Sequence, residues 1–174
     1  MRPPQLPGEQ AIALLKQRAR KLAGREVKAD AREEATRVVH ARRGALALGF
    51  KVGAVREVRR VTVSTLPEAP SGVVGFFQVR GQPFALADLQ ALEGHGSPEP
   101  AGADALAVLL ELEGRPLGVV IDEIIGVRTV YQDEVRDADG DPDGRVFAYA
   151  TPDFLNVIDI PRLFAHPALK WTGT

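Results

Sequence analysis

The sequence has no cysteine, so it holds no disulfide framework, no thiolate nucleophile and no Cys-ligated zinc. Aromatic residues make up only 6%, with a single Trp, which leaves few rings to stack on nucleobases. An excess of either charge is also missing. Lys and Arg number 22 against 23 Asp and Glu, a net charge of −1, so nothing draws the chain as a whole toward nucleic acid or an anionic membrane. No run of roughly 18 apolar residues occurs, and Met1-Arg2-Pro3-Pro4-Gln5 opens no secretory apolar region, so a cytoplasmic protein is expected. His40, His95 and His166 lie far apart without ligand-like spacing. No Gly-x-Ser-x-Gly elbow, P-loop or Gly-x-Gly-x-x-Gly follows a strand, and Ser64, Ser71 and Ser97 sit in turn-like sequence with no His nearby. The loop Asp139-Gly140-Asp141-Pro142-Asp143-Gly144 imitates the start of a calcium loop. Its twelfth position, where a bidentate Glu belongs, is Ala150, so it reads as an acidic surface turn. These absences point to a soluble, non-enzymatic binding scaffold with no metal and no cofactor.

What is present is an ordinary globular composition, 45% apolar and 26% charged. At 174 residues the chain buries about two-thirds of its unfolded surface without staples. Three segments separate by pattern. In residues 8–24, Ile12, Leu15, Ala19 and Leu22 recur at helical spacing among Lys16, Arg18, Arg20 and Lys21, and Gly24 closes the run. This predicts a basic amphipathic helix whose default role is to pack on its own domain, ahead of lying on a membrane or binding in trans. Residues 25–33 read as a linker. From about residue 36 the period changes to two. Val39 and Ala41, the turn at Arg43-Gly44 and residues 45–50 predict a hairpin, with a strand over 52–63. Short strands with Gly and Pro turns about every 8–12 residues favour a barrel or sandwich over α/β. A Gly- and Pro-rich stretch at 93–104 then divides the β-rich region in two.

The two sides of that stretch repeat each other. Leu48-Gly49-Phe50-Lys51-Val52 aligns with Leu117-Gly118-Val119-Val120-Ile121, and Val58-Arg59-Arg60-Val61 with Val127-Arg128-Thr129-Val130, both at an offset of 69. Gly44 aligns with Gly114 at 70. Phe84-Ala85-Leu86-Ala87-Asp88-Leu89 aligns with Leu155-Asn156-Val157-Ile158-Asp159-Ile160 at 71. Each copy ends as a strand running into an Asp and a short helical turn, where the carboxylate accepts the first-turn N–H groups. Pro161 suits the same place because its missing N–H is not needed there. Two like halves would share a core and leave a groove between them, a natural seat for a partner helix.

The residues that repeat also carry a family likeness. Ala54-Val55-Arg56-Glu57-Val58, Leu66-Pro67-Glu68-Ala69-Pro70, Val73-Val74-Gly75 and Val79-Arg80-Gly81, with Gly114 to Ile124 and the closing 155–164, resemble CheW-type chemotaxis coupling proteins over roughly 34–168. The resemblance implies a mainly β fold of two tandem SH3-like five-stranded barrels related by a pseudo-two-fold. A short helix would end each half, after the N-terminal helix and linker of residues 1–33. The first barrel would take about 36–92, the second about 105–164, and 169–174 would form a tail. It further implies a chemotaxis adaptor at receptor arrays, coupling the cytoplasmic tips of chemoreceptors to the regulatory domain of a CheA-type histidine kinase, without nucleic acid or membrane insertion. By matched position the receptor groove is Val55, Glu57, Arg80, Leu106 and Val127, and the kinase-facing surface is Ser71, Gly72, Val73, Val74 and Gly75. Where the family has Asn-Leu-Arg-Gly this chain has Gln78-Val79-Arg80-Gly81. Two alternatives remain: an adaptor of a pilus or developmental signalling system on the same surfaces, and an RNA-binding SH3- or OB-like barrel, which the low aromatic content and near-neutral charge oppose.

Overall fold

Apolar alternation becomes strand nearly throughout the described part of the computed structural model, residues 32–65, 67–95, 104–137 and 145–170. The expected helix and linker before residue 32, the acidic loop 139–144 and the end of the tail lie outside the described residues. The strands are β1 (Glu34–Arg43), β2 (Leu46–Lys51), β3 (Val55–Thr62), β4 (Val73–Val79), β5 (Gln82–Ala87), β6 (Asp104–Leu112), β7 (Arg115–Ile121), β8 (Glu123–Tyr131), β9 (Arg136–Asp137), β10 (Phe147–Ala150) and β11 (Leu155–Ile158). Helix α1 (Leu89–Leu92) follows β5, and α2 (Ile160–Ala165) follows β11. Both begin as their sequences predict. The Asp88 side chain accepts from the N–H of Gln90, and that of Asp159 from the N–H of Arg162 with Pro161 in the first turn.

The strands form two sheets, one of six in the order β8-β1-β2-β11-β10-β9 and one of five in the order β3-β6-β7-β5-β4. The halves are therefore not separate along the chain. Residues 36–92 and 105–164 each supply strands to both sheets, because the first hairpin of each half is exchanged. Hairpin β1–β2 sits between β8 and β11, and its counterpart β6–β7 sits between β3 and β5. Alternation says which face of a strand is buried but not which strand lies beside it, and this accounts for the difference from a consecutive division.

The registers confirm the internal two-fold. Val58 lies opposite Val108, and Val39 opposite Val127; 39 to 108 and 58 to 127 are both steps of 69. The parallel pairs agree, Gly49 with Val157 and Gly118 with Leu86. The five-stranded sheet closes on itself where Ser64, just past β3, exchanges N–H···O bonds of 2.7 and 2.8 Å with Phe76 of β4.

Three apolar clusters follow. One lies between the sheets and joins Leu48 and Phe50 of β2 to Val108, Leu110, Val119 and Ile121, capped by Ile160 and Leu163 of α2. A second fills the five-stranded barrel with ten buried residues, among them Val61, Phe77, Phe84, Leu86 and Leu109. The third, inside the six-stranded sheet, has four: Val38, Val130, Leu155 and Val157. Phe77 stacks on Phe84 with ring centroids 5.1 Å apart. Its neighbour Phe76 points to the other face and is half-buried.

Candidate partner-binding surfaces

The sheets are riveted by one charged cluster. Arg43 ends β1 in the six-stranded sheet and its guanidinium is 13% exposed. It grips Asp88, the α1 cap behind β5, with Nε to Oδ1 at 3.3 Å and a second bond to Oδ2 at 2.7 Å; Asp88 is 2% exposed. The remaining nitrogen donates to Asp122, between β7 and β8, at 2.8 Å, and the N–H of Gly44 donates to the same carboxylate at 2.6 Å. The hydrogen bonds to Asp88 first, and then those to Asp122, raise the Arg43 pKa above the usual arginine value in spite of burial. Burial pushes Asp122 up, but the Gly44 N–H and the Arg43 guanidinium outweigh it and hold its carboxyl below the usual range. This cluster fixes the places where the chain passes from one sheet to the other, and so sets the frame for anything bound across them.

Of the expected receptor-groove residues, Val55 and Glu57 lie on β3, both half-buried. Val55 pairs with Leu110, and Glu57 pairs with Leu109. Leu106 is half-buried on β6, beside Arg60. Arg80 is exposed in the turn between β4 and β5 with a left-handed φ of 51°. Arg56 ties that turn to β3: its guanidinium donates to Gln82 Oε1 at 3.0 Å and pairs with Glu111 of β6 at 3.0 Å. Arg56, between Val55 and Glu57 in the chain and not singled out by the sequence, is thus the residue that links β3 to the end of the Arg80 turn. Val127 belongs to the other sheet, on β8, and is 59% exposed. β3 and β8 are counterparts under the repeat, so the set falls on equivalent strands of the two sheets rather than on one strand pair.

The expected kinase-facing stretch is mostly interior. Ser71 is exposed, but Gly72, Val73, Val74 and Gly75 are buried. The C-terminal turn 167–169 lies over Gly72, whose N–H donates to the Ala168 carbonyl at 3.0 Å. Side-chain contact with a partner is thus open only to Ser71 here. Apolar exposure is concentrated instead on β8, where Ile124, Ile125 and Val127 are 38%, 53% and 59% exposed, and at Phe154, 81% exposed in the turn before β11 with φ 63°. An alternating strand with apolar residues on its outer face was visible at Ile125 and Val127 and went unread because either face of a strand can be the inner one. The Phe154 turn is braced by Arg128 of β8, which bonds Asp153 twice, and by Thr151, whose hydroxyl donates to Asp153 at 2.6 Å. The Arg128 hydrogen bond first, and then that from Thr151, lower the Asp153 pKa to about 2. Among the described residues no cluster of His, Asp and Glu is arranged to hold a metal ion, and no helix is long and apolar enough to cross a membrane.

Comparison with known proteins follows the same outline. A family model described as a CheW-like domain matches residues 20–168. A chemotaxis protein CheW of Rhizobium meliloti (strain 1021) is 29% identical over 136 residues, 72% of this chain and 77% of that protein. Among solved structures, the crystal structure of the scaffolding protein TtCheW from Thermoanaerobacter tengcongensis superposes with a TM-score of 0.63 at 19% identity, over 80% of this chain and 90% of that one. At that identity the likeness is one of fold.

Proposed function

The chain belongs to the CheW-like domain family, and from that premise we propose that it is a non-catalytic cytoplasmic adaptor coupling chemoreceptors to a CheA-type histidine kinase. The observations that carry this reading are the exposed Arg80 turn, whose far end Arg56 ties to β3 between Val55 and Glu57, and the bare apolar row of β8 on the counterpart strand. Such a surface offers apolar area for a receptor hairpin, with Arg80 and Glu57 at hand to fix its register by charge. Arg80 suits recognition of a partner carboxylate because its planar guanidinium binds in a bidentate manner and no side chain among the described residues occupies it. Glu57 is engaged only weakly, by Arg59 at 3.5 Å, and is available to a basic group. Leu106, half-buried beside Arg60 on the neighbouring strand, adds apolar area to this surface.

The kinase regulatory domain would meet the five-stranded barrel at its exposed Ser71 end, with the buried Gly72, Val73, Val74 and Gly75 setting the backbone shape there. The action is positional. Two partners held on one frame feel each other's state only through contacts that differ between signalling states. The test is co-sedimentation of the full chain with a receptor cytoplasmic fragment and the kinase regulatory domain. The expected result is a ternary pellet that Arg80→Glu reduces by roughly tenfold in apparent affinity, the effect of losing a charge-assisted bidentate contact and placing like charge there. A wild-type chain that pellets with neither partner defeats the adaptor reading, and an unaffected Arg80→Glu chain defeats the site.

A further inference from the structure

β3 and β4 end the five-stranded order, so each carries a backbone edge that no neighbouring ladder among the described residues fills. They are joined at one point by the Ser64–Phe76 exchange and, farther along, by the exposed side-chain bond from Arg56 to Gln82. Between those ties the strands stand apart around a cleft of about 500 Å³, with Arg59, Arg60, Thr62 and Ser64 on one side and Phe76 and Gln78 on the other. The run from 56 to 64 spans about 26 Å at the rise of a strand, enough for a segment of about five residues between the ties.

The charge of this seam is one-sided. Arg60 has no ion-pair or hydrogen-bond partner among the described residues, and Arg59 has only Glu57 at 3.5 Å. Arg80, exposed and unpaired among the described residues, stands where β4 runs out toward the same open stretch. The other nearby carboxylate, Asp104, is a long 3.5 Å from the Thr62 hydroxyl. Charges on an open edge normally guard it against indiscriminate strand pairing. Two adjacent arginines guard against basic and neutral strands while favouring an acidic one, so the guard also selects.

We propose that this seam takes in an extended acidic segment of a partner protein as an added strand, its main chain on the β3 edge and its carboxylates on Arg59 and Arg60. The main chain gives affinity and the arginines specificity. The site does not depend on which proteins the adaptor joins, and Arg60 is not part of the receptor-binding set.

The test uses the full chain and a fluorescein-labelled peptide of about six residues with adjacent Glu residues flanked by Val, so that carboxylates face both Arg59 and Arg60, followed by anisotropy and by hydrogen exchange. Binding is expected to weaken roughly tenfold when Gln replaces Glu in the peptide, and by a similar factor in Arg60→Ala, the scale of one or two lost charge-assisted bonds. Arg60→Lys, which keeps the charge, retains most of the affinity. The bound peptide slows amide exchange in residues 59–62. Equal binding of the Gln peptide, an Arg60→Ala chain that binds as wild type does, or protection elsewhere overturns the proposal. So does displacement of the peptide by inorganic phosphate or free glutamate at equal affinity, which marks a small-anion pocket.

Discussion

The two barrels share a strand plan and differ in how they are filled. Among the described residues, the five-stranded one encloses a cluster of ten buried apolar residues and is sealed by the Ser64–Phe76 bridge. The six-stranded one has a cluster of four, and the hydroxyl of Tyr149 beside them is buried with no hydrogen-bond partner among the described residues. A buried orphan hydroxyl costs stability, and burial raises the Tyr149 pKa. The halves also differ at their caps: Asp88 is buried and clasped by Arg43 across the sheets, whereas Asp159 is a quarter exposed and meets only Arg162 of its own helix. Duplication kept the backbone pairing, and divergence put the stability on one side and the open apolar surface, with its exposed β8 row, on the other.

The largest contrast should come from the caps. Asp88→Ala leaves the nearly buried Arg43 without its bidentate partner and is expected to cost about 3–5 kcal/mol. Asp159→Ala removes a helix cap and is expected to cost about 1 kcal/mol. Urea denaturation midpoints decide, and equal losses would erase the asymmetry.

Next come the paired glycines. A Cβ on Gly118 would lie 2.6 Å from the Phe77 ring inside the filled barrel, whereas one on Gly49 would approach Val157 at 3.2 Å in the emptier one. Gly118→Ala is therefore expected to cost about 1–3 kcal/mol by overpacking, and Gly49→Ala clearly less. Melting temperatures of the two variants rank them, and the reverse order would show that the six-stranded interior is the stiffer.

Tyr149→Phe sharpens the same point from the other side. Removing the orphan hydroxyl should leave stability unchanged or raise it by about 1 kcal/mol, read from the same denaturation curves; a loss would mean that the hydroxyl has a partner.

The smallest effect is in acid. The Asp153 carboxyl titrates near its ordinary 3.8 when unfolded and at about 2 when folded. Between those values the unfolded chain binds more protons, so stability is complete above about pH 4 and is lost as pH falls through about 2. Because the side chain is 60% exposed, solvent screens the pair and the slope is shallow. Asp153→Asn should flatten it in acid titrations followed by circular dichroism.

Much of the fold was legible in the sequence. The repeat showed because its matches, such as Val58 with Val127 and Leu86 with Val157, hold one offset to within two residues, and the caps showed because an Asp at a strand end has few other uses. The strand exchange did not, since alternation carries no record of neighbours. Nor did the Arg43 cluster, because nothing local to Arg43-Gly44 points to a carboxylate 45 residues away. For the partner surfaces, the family likeness singled out Arg80, but local pattern could not show that Gly72 to Gly75 run inward, with Gly72 beneath Ala168. Burial at Gly72 is set by the far end of the chain.

The hairpin exchange also bears on how the molecule is made. β1 and β2 leave the ribosome well before their neighbours β8 and β11, so the six-stranded barrel cannot close until those late strands are made, whereas β3 to β7 of the five-stranded barrel follow one another along the chain. Such long-range closure makes for slow, late folding and a nascent chain with open edges. A half-length chain would have the same unmet need, with nowhere to lodge its first hairpin except in a second copy of itself. The fused pair thus has the topology of a swapped dimer whose subunits were joined end to end.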